Sequence, residues 1–289
     1  MTDFEFVYPS SIDELINFLD EHGNNAKIIA GGTDLFLLVK RGLVNPKYIV
    51  DISRINELKY IKQDGDTIRI GPLTTFTEII ESELLQSNLP LLVEASKTIA
   101  APQIRNVATI GGNLVNASPA ADSAPPLIAL GAKLKLRSAN NTRVVPVEDF
   151  FVFVKKTILK ENEILEEIEI PLRKGLAGTF IKIGKRNALV LAIVSVAVAL
   201  TVNNGKIDYI RIALGSVAPT PLRARKAEAV LLDNEPTREL IEKAAATAKD
   251  ETSPITDARG SAEYRKAMTY ELTKVAIEDA LAKLGVELK

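Results

Sequence analysis

The chain has 289 residues, a formal net charge of −1, no cysteine and one histidine. The balanced charge gives no electrostatic reason to expect nucleic acid or an anionic membrane as a partner. The lack of thiols excludes an iron–sulfur cluster and a cysteine nucleophile on this chain, and we expect no metal site. The length allows a large core divided over two or three domains.

The location of the protein is predicted from two stretches. Residues 1–5 are mixed and acidic, which is not typical of a targeting leader. The longest apolar run, 188–202, is too short to cross a bilayer, and Ser195 and Thr201 interrupt it. We therefore expect a cytoplasmic protein without a membrane span.

The first part of the chain predicts a small βαβ unit. Ser10 or Ser11 precedes an amphipathic helical pattern and is a candidate N-cap. A second helix is expected from Thr33 or Asp34 to Gly42, where glycine ends it. Strands are predicted at 4–7, 27–30 and 48–52, which places a first domain at 1–57.

The middle of the chain predicts a mixed domain at 58–172. Asp64-Gly65 between two alternating runs is a hairpin signal. Strands are expected at 60–63, 67–71, 133–137, 142–146 and 163–170, and helices at 75–83 and 90–99. The carboxylates around the last strand predict a solvent-exposed face, formed by Glu161, Glu163, Glu166, Glu167 and Glu169.

The remaining residues, 173–289, predict a separate C-terminal domain. Pro171 and the glycines after it mark its boundary. Strands at 179–185, 189–202 and 206–215 indicate an antiparallel sheet. Helices at 224–232, 237–249 and 261–284 complete the chain.

Two glycine pairs carry most of the functional information. Gly31-Gly32 and Gly111-Gly112 each follow an apolar stretch. Glycine allows a positive φ and leaves no Cβ between the backbone amides and a ligand. Successive amides that point into one concavity form an anion-binding nest. A lone pair is usually an ordinary turn, but two predict one extended ligand with several phosphates, such as a dinucleotide.

The residues around these pairs resemble a known family. AGGTDL at 30–35, QIRNVA at 103–108 and GGNLVNASPAADSAPP at 111–126 are similar to the flavin loops of the molybdenum hydroxylases, the xanthine dehydrogenase family. The resemblance extends over the whole chain, in the layout of a separately encoded FAD subunit. It implies an α+β fold: a two-subdomain FAD-binding unit of the vanillyl-alcohol-oxidase/PCMH type, then an antiparallel sheet with a helical bundle of the CO dehydrogenase flavoprotein type.

The resemblance also implies which residues bind FAD between the first two domains. On the adenosine and pyrophosphate side these are Lys27, Ile28, Ile29, Ala30, Gly31, Gly32, Thr33 and Asp34. Near pyrophosphate and ribitol they are Ala108, Thr109, Gly111, Gly112 and Asn113, with Ser118 and Asp122 at the ribose and diphosphate. Near the isoalloxazine they are Ile99 and Ala100, and the apolar pair Ile164 and Leu165 lies near flavin or adenine.

Two cations complete this set. Lys182 matches a lysine close to the flavin, where it would stabilise negative charge on the reduced ring; the alternative is a surface strand lysine. Arg105 either binds phosphate or pairs with a neighbouring subunit. No residue is implied as a proton-transfer catalyst.

The implied function is electron transfer within a larger enzyme. Substrate is oxidised at molybdenum on a large molybdopterin subunit, and electrons pass through two [2Fe-2S] clusters on a small subunit to FAD, then to NAD or another acceptor. The expected assembly is a dimer of heterotrimers. Relatives that oxidise carbon monoxide or aldehydes usually carry Gln-Ser or His-Ser in place of Thr33-Asp34, and a tyrosine where this chain has Leu191. Both differences favour a purine or N-heterocycle substrate.

Three alternatives stay open at this point. The chain could be the FAD subunit of an aldehyde or carbon monoxide dehydrogenase of the same family. It could be a stand-alone FAD-dependent reductase, although the C-terminal part offers no obvious proton-donor cluster. It could also be a scaffold that has lost its flavin, which two intact glycine loops disfavour. Substrate, acceptor and stoichiometry are not fixed by the sequence.

Overall fold

The computed structural model describes residues 4–288. The first layer is a three-stranded parallel sheet with strand order β1-β3-β2. Ser11 caps the first helix by accepting a hydrogen bond from the Glu14 amide at 3.2 Å, which confirms the predicted start. The predicted βαβ unit is therefore present. Its elements are β1 (Glu5–Val7), α1 (Ile12–His22), β2 (Ala26–Ile29), α2 (Leu35–Lys40) and β3 (Tyr48–Asp51).

The second sheet has five antiparallel strands in the order β4-β5-β10-β6-β7. Gly65, with a φ of +56°, makes the predicted hairpin turn. Its strands are β4 (Ile61–Asp64), β5 (Thr67–Ile70), β6 (Lys133–Arg137), β7 (Thr142–Pro146) and β10 (Ile164–Pro171), and a separate hairpin is formed by β8 (Phe151–Phe153) and β9 (Lys156–Thr157).

Six short helices connect β5 to β6, where the sequence predicts two. They are α3 (Phe76–Glu81), α4 (Glu83–Asn88), α5 (Pro90–Lys97), α6 (Pro102–Arg105), α7 (Ile110–Val115) and α8 (Ala124–Ala129). The predicted pair corresponds to α3 and α5, while α4, α6, α7 and α8 were missed. Helices of four to six residues have too few turns for an apolar period and depend on packing. Here they pack around buried Phe76, Ile110 and Leu127.

The predicted solvent-exposed face of β10 is wrong at two positions. Glu163 and Glu167 are only 3% and 6% exposed. Arg143 contacts both carboxylate oxygens of Glu163, at 3.0 and 2.8 Å, and Tyr60 donates to Glu167 at 2.7 Å. Burial raises the pKa of Glu163, but hydrogen bonds from Arg143 and the backbone outweigh it and leave the pKa below its usual value. A bulge after Leu165 changes the alternation of the strand, which a sequence pattern does not reveal.

The C-terminal part contains a four-stranded antiparallel sheet in the order β11-β12-β13-β14, covered on one face by three helices. The predicted strand 189–202 begins only at residue 194, since Leu189 has a φ of +54° within a loop. The elements are β11 (Ala177–Ile183), β12 (Val194–Asn203), β13 (Lys206–Gly215), β14 (Leu222–Arg223), α9 (Arg225–Leu231), α10 (Arg238–Asp250) and α11 (Ala262–Lys283).

The two faces of β12 carry side chains of different size. Val196 and Val198 point into the core beneath α9–α11. Ala197 and Ala199, with Ala213 of β13, belong instead to the core that contains the short helices. Small side chains let α8 lie directly on β12 and β13. The three-, five- and four-stranded sheets fall within 1–57, 58–172 and 173–289 respectively. These domain bounds stay a prediction.

None of the helices within residues 4–288 has the length and apolar character needed to cross a membrane. Within the same residues, no cluster of His, Asp and Glu side chains could hold a metal ion.

We predict that Ala197→Leu destabilises the fold by about 1–3 kcal/mol, because the added atoms must fit between β12 and α8. Ala197 is fully buried. Urea denaturation followed by circular dichroism gives the change in unfolding free energy. Ala267→Leu, on an exposed part of α11, is the matched control and should shift it by less than about 0.5 kcal/mol. Equal effects at both positions would contradict the packing argument.

Candidate functional site

The first glycine loop joins β2 to α2 and provides free backbone amides. Gly32 has a φ of +70°, the conformation for which glycine is suited. The N–H groups of residues 31–34 donate to no group of the described chain. Four successive unpaired donors beside a helix start form the anion nest that the sequence predicts.

The same loop touches the lead-in of the second glycine pair. A Cβ on Gly31 would lie 1.8 Å from the carbonyl oxygen of Val107. No side chain fits at that distance, so the backbones of the two loops pass directly against each other. Glycine is required here for close approach rather than for a positive φ.

The second glycine pair differs from its prediction. Gly111 and Gly112 lie in the first turn of α7, capped by Thr109, whose Oγ1 accepts from Gly112 N at 3.1 Å. Gly111 N donates to the carbonyl of Pro72 at 2.9 Å. The prediction of a second nest of free amides is therefore wrong. A Cβ on Gly111 would stand 2.4 Å from Cβ of Pro72, which explains the glycine by packing.

A cleft of about 360 Å³ lies between these two loops. Its lining includes the apolar side chains of Leu15, Ile52, Leu58 and Leu159. The predicted site residues that line it are Lys27, Ile28, Ile29, Ala30, Gly31, Gly32, Thr33, Asp34, Ala108, Thr109, Gly111, Gly112, Asn113, Ile164 and Leu165. The structure thus brings together fifteen of the twenty predicted site residues, from the segments 27–34, 108–113 and 164–165.

A second cleft of about 560 Å³ is lined in part by residues 100, 102 and 105 of the segment that leads to the second glycine pair. Two of the predicted residues, Ala100 and Lys182, line it, together with the basic side chains of Lys97, Arg105 and Arg186. Its outer wall is the loop 183–190, between β11 and β12.

The other three predicted residues, Ile99, Ser118 and Asp122, line neither of these clefts. Ser118 Oγ instead accepts from the amide of Ala120 at 3.3 Å, in a turn. The cleft residues that sequence reasoning missed include Pro72, Leu73 and Asn116. Asn116 lies within the second glycine run, but its residue type alone does not separate it from its neighbours.

Arg105 holds a strained turn at the second cleft. Ala100 has a φ of +40°, an unfavourable value for a residue with a Cβ. One guanidinium nitrogen of Arg105 donates to the carbonyls of Ile99 and Ala100 at 2.7 and 2.9 Å. These two hydrogen bonds explain the position of the Arg105 side chain without phosphate binding or subunit pairing, the two roles that the sequence left open.

Lys182 and Asp122 form a buried ion pair between the sheet and the helices. Lys182 Nζ lies 2.6 Å from Asp122 Oδ2 and 3.1 Å from the carbonyl oxygen of Thr98. The two side chains are 7% and 8% exposed, so the alternative of a surface lysine is wrong. Burial raises the pKa of Asp122 to about 6, and the Lys182 ammonium limits the rise. The second carboxylate oxygen, Oδ1, is buried without a partner in the described chain.

Family models match two successive parts of the chain. The FAD binding domain in molybdopterin dehydrogenase matches residues 2–173. The CO dehydrogenase flavoprotein C-terminal domain matches residues 179–280. The fold and the glycine-lined cleft thus define an FAD-binding protein of the molybdopterin dehydrogenase type.

Individual relatives agree over almost the full length. The chain is 37% identical to the carbon monoxide dehydrogenase medium chain of Hydrogenophaga pseudoflava, covering 97% of this chain and 98% of that protein. It is 34% identical to the xanthine dehydrogenase FAD-binding subunit of Escherichia coli O157:H7, covering 97% of each. A solved carbon monoxide dehydrogenase structure from Hydrogenophaga pseudoflava superposes with a TM-score of 0.94 at 39% identity, over 97% of this chain and 98% of that one.

The chain therefore belongs to the FAD-binding subunits of the molybdenum hydroxylase family, which are oxidoreductase components, and its cofactor is FAD. This confirms the resemblance and the fold predicted from the glycine runs.

We predict that Gly111→Ala lowers FAD content strongly, whereas Gly112→Ala lowers it little. The new Cβ at residue 111 meets Pro72, including its backbone, while at residue 112 it meets only the rotatable Thr109 hydroxyl at 2.9 Å. The measurement is the ratio of flavin to protein absorbance after purification. Equal retention in both variants would remove the packing explanation.

We also predict a pH signature of Asp122. Its folded-state pKa, about 6, lies above the ordinary value of 3.8, so the folded protein holds a proton that the unfolded chain has released between these values. Falling pH across this window therefore stabilises the FAD-free wild type relative to Asp122→Asn, by about 2–3 kcal/mol in total. Urea denaturation of both proteins at pH 4, 5, 6 and 7 measures the difference. A constant difference would show that Asp122 is ionised normally.

Proposed function

We propose that this chain carries FAD as the electron-transfer subunit of a multi-subunit hydroxylase. The observation that supports this most is the set of four unpaired amides at residues 31–34, in a cleft that is also lined by apolar side chains. Unpaired amides suit a pyrophosphate, and an apolar slot suits an adenine ring. The residues present therefore fit FAD.

We place the adenosine and pyrophosphate in the first cleft and the isoalloxazine in the second. One segment reaches both clefts, with Ala100, Pro102 and Arg105 lining the second and Ala108 and Thr109 lining the first, which supports a ligand extended from one to the other. Arg105 fixes the turn at Ala100 in this segment. Ile164 and Leu165, in the first cleft, are then on the adenine side.

In this arrangement the protein binds and orients the cofactor, and bound FAD supplies the redox chemistry. Lys182 contributes an ammonium group at the wall of the second cleft, held in place by Asp122 and the Thr98 carbonyl. A preorganised cation stabilises negative charge without solvent reorganisation. None of the proposed roles requires proton transfer by this chain.

The remaining redox centres belong on other chains, since this one has no cysteine for a cluster. Relatives named as a medium chain or an FAD-binding subunit indicate an assembly of several subunits. We propose a small iron–sulfur subunit and a large molybdopterin subunit as partners, in a dimer of heterotrimers. Electrons would enter FAD from the partner's clusters and leave to NAD or another acceptor. The cytoplasmic location stays a prediction.

The substrate class is a finer proposal. Thr33-Asp34 and Leu191 differ from the pattern expected of carbon monoxide and aldehyde oxidisers, and both favour a purine or other N-heterocycle. Leu191 is 56% exposed beside the loop that walls the second cleft, where a tyrosine would be placed. Identities of 37% to a carbon monoxide dehydrogenase chain and 34% to a xanthine dehydrogenase chain are too similar to separate these substrates.

We predict that the natively expressed protein elutes in size-exclusion chromatography with two other subunits and with FAD, iron and molybdenum. The flavin released on denaturation should be FAD rather than FMN. The chain purified alone, as the control, should show at most weak reduction of artificial dyes and no turnover of heterocycles. A metal-free, flavin-containing monomer that oxidises or reduces an organic substrate by itself would contradict the proposal.

A further inference from the structure

Three side chains from separate segments meet at the rim of the first cleft. Lys155 Nζ lies 3.2 Å from Asp34 Oδ2 and 2.7 Å from Asn116 Oδ1. The Asn116 amide also donates to Asp34 Oδ2. Asp34 ends the first glycine loop, Asn116 follows α7, and Lys155 is the turn of the β8–β9 hairpin. The three residues, here called the rim triad, connect segments that are 82 and 121 residues apart along the chain.

The backbone around Lys155 is held in an unfavourable conformation. Lys155 has a φ of +59°, and its amide donates to the carbonyl of Ala117 at 2.9 Å. Ala117 itself has a φ of +47°. Two residues with a Cβ in the left-handed region, bonded to each other, are a strained arrangement that persists only when its surroundings enforce it. In this backbone conformation the Lys155 side chain reaches Asp34.

The Asp34 carboxylate does not cap the helix that it precedes. It is the N-cap residue of α2, yet its side chain accepts no hydrogen bond from the helix. The carboxylate faces Asn116 and Lys155 instead. The Asp34 amide, however, is one of the four unpaired donors of the anion nest. A carboxylate next to an anion site repels the anion unless a cation neutralises it.

We propose that Lys155 is a positioning residue for FAD: it neutralises Asp34 beside the pyrophosphate nest and ties the two glycine loops together across the first cleft. This rests on the proposed placement of the pyrophosphate at residues 31–34. Lys155 and Asp34 are 45% and 44% exposed. Exposed ion pairs contribute little to folding stability, so the pair affects retention of a charged ligand rather than the fold.

The test compares four variants in the assembled complex, after removal and re-addition of FAD. Lys155→Met should raise the FAD dissociation constant about fivefold or more and speed FAD release, because Asp34 becomes an uncompensated negative charge. Lys155→Arg should stay near wild type. The double variant Lys155→Met/Asp34→Asn should recover most of the loss, since it removes both charges. Lys156→Met, an exposed lysine next in the same hairpin, is the matched control and should change nothing.

Flavin fluorescence during titration and release gives the constants, and thermal unfolding of the FAD-free complex checks the fold. Unchanged FAD affinity in Lys155→Met, with tight binding by wild type, would overturn the rim-triad proposal while leaving the flavin function intact. Equal losses in Lys155→Met and Lys156→Met would also overturn it, because they would reflect the net charge of the hairpin. Failure of the wild-type complex to bind FAD at all would instead reject the proposed function.

Discussion

The first cleft depends on direct backbone contact between the first glycine loop and the segment that leads into α7. At Gly31 a Cβ would meet the Val107 carbonyl at 1.8 Å. A second close contact, 2.4 Å between a Cβ at Gly111 and Cβ of Pro72, fixes α7 against the segment that follows β5. The cleft is the space left beside them, open enough for a ligand yet bounded by backbone that has little freedom to move. Loss of either glycine would separate its walls.

The C-terminal domain is fixed to this unit by a second close contact. Ala197 and Ala199 present small side chains to the core that contains the short helices, and β11 of the same sheet lies next to α5. That proximity lets Lys182 reach Asp122 and the Thr98 carbonyl. The second cleft forms along the same seam. The basic side chains that line this cleft are far apart in sequence, and the packing of the C-terminal sheet against the short helices brings them together.

Two expectations were wrong for reasons that lie in the tertiary structure. The glycine pairs were predicted as two equal anion nests, but only residues 31–34 keep free amides; the amides of Gly111 and Gly112 are paired with protein groups. Glycine identity shows that a side chain is excluded, yet not whether a ligand or another backbone excludes it. Glu163 and Glu167 were predicted to be exposed because charged side chains normally are, but Arg143 and Arg69, from two other strands of the sheet, pair with these carboxylates and allow their burial.

The sequence by itself determined the family, the cofactor, most strands and the long helices, because local periodicity, turn residues and contiguous motifs are written along the chain. It also identified fifteen residues that share one cleft. Only the tertiary structure decided how Arg105, Asp122 and Asp34 use their side chains, and how six short helices fill the space between β5 and β6. Those features depend on partners dozens of residues away and on packing distances that no local pattern encodes. They also depend on burial, which strengthens the electrostatic interactions of a charged group.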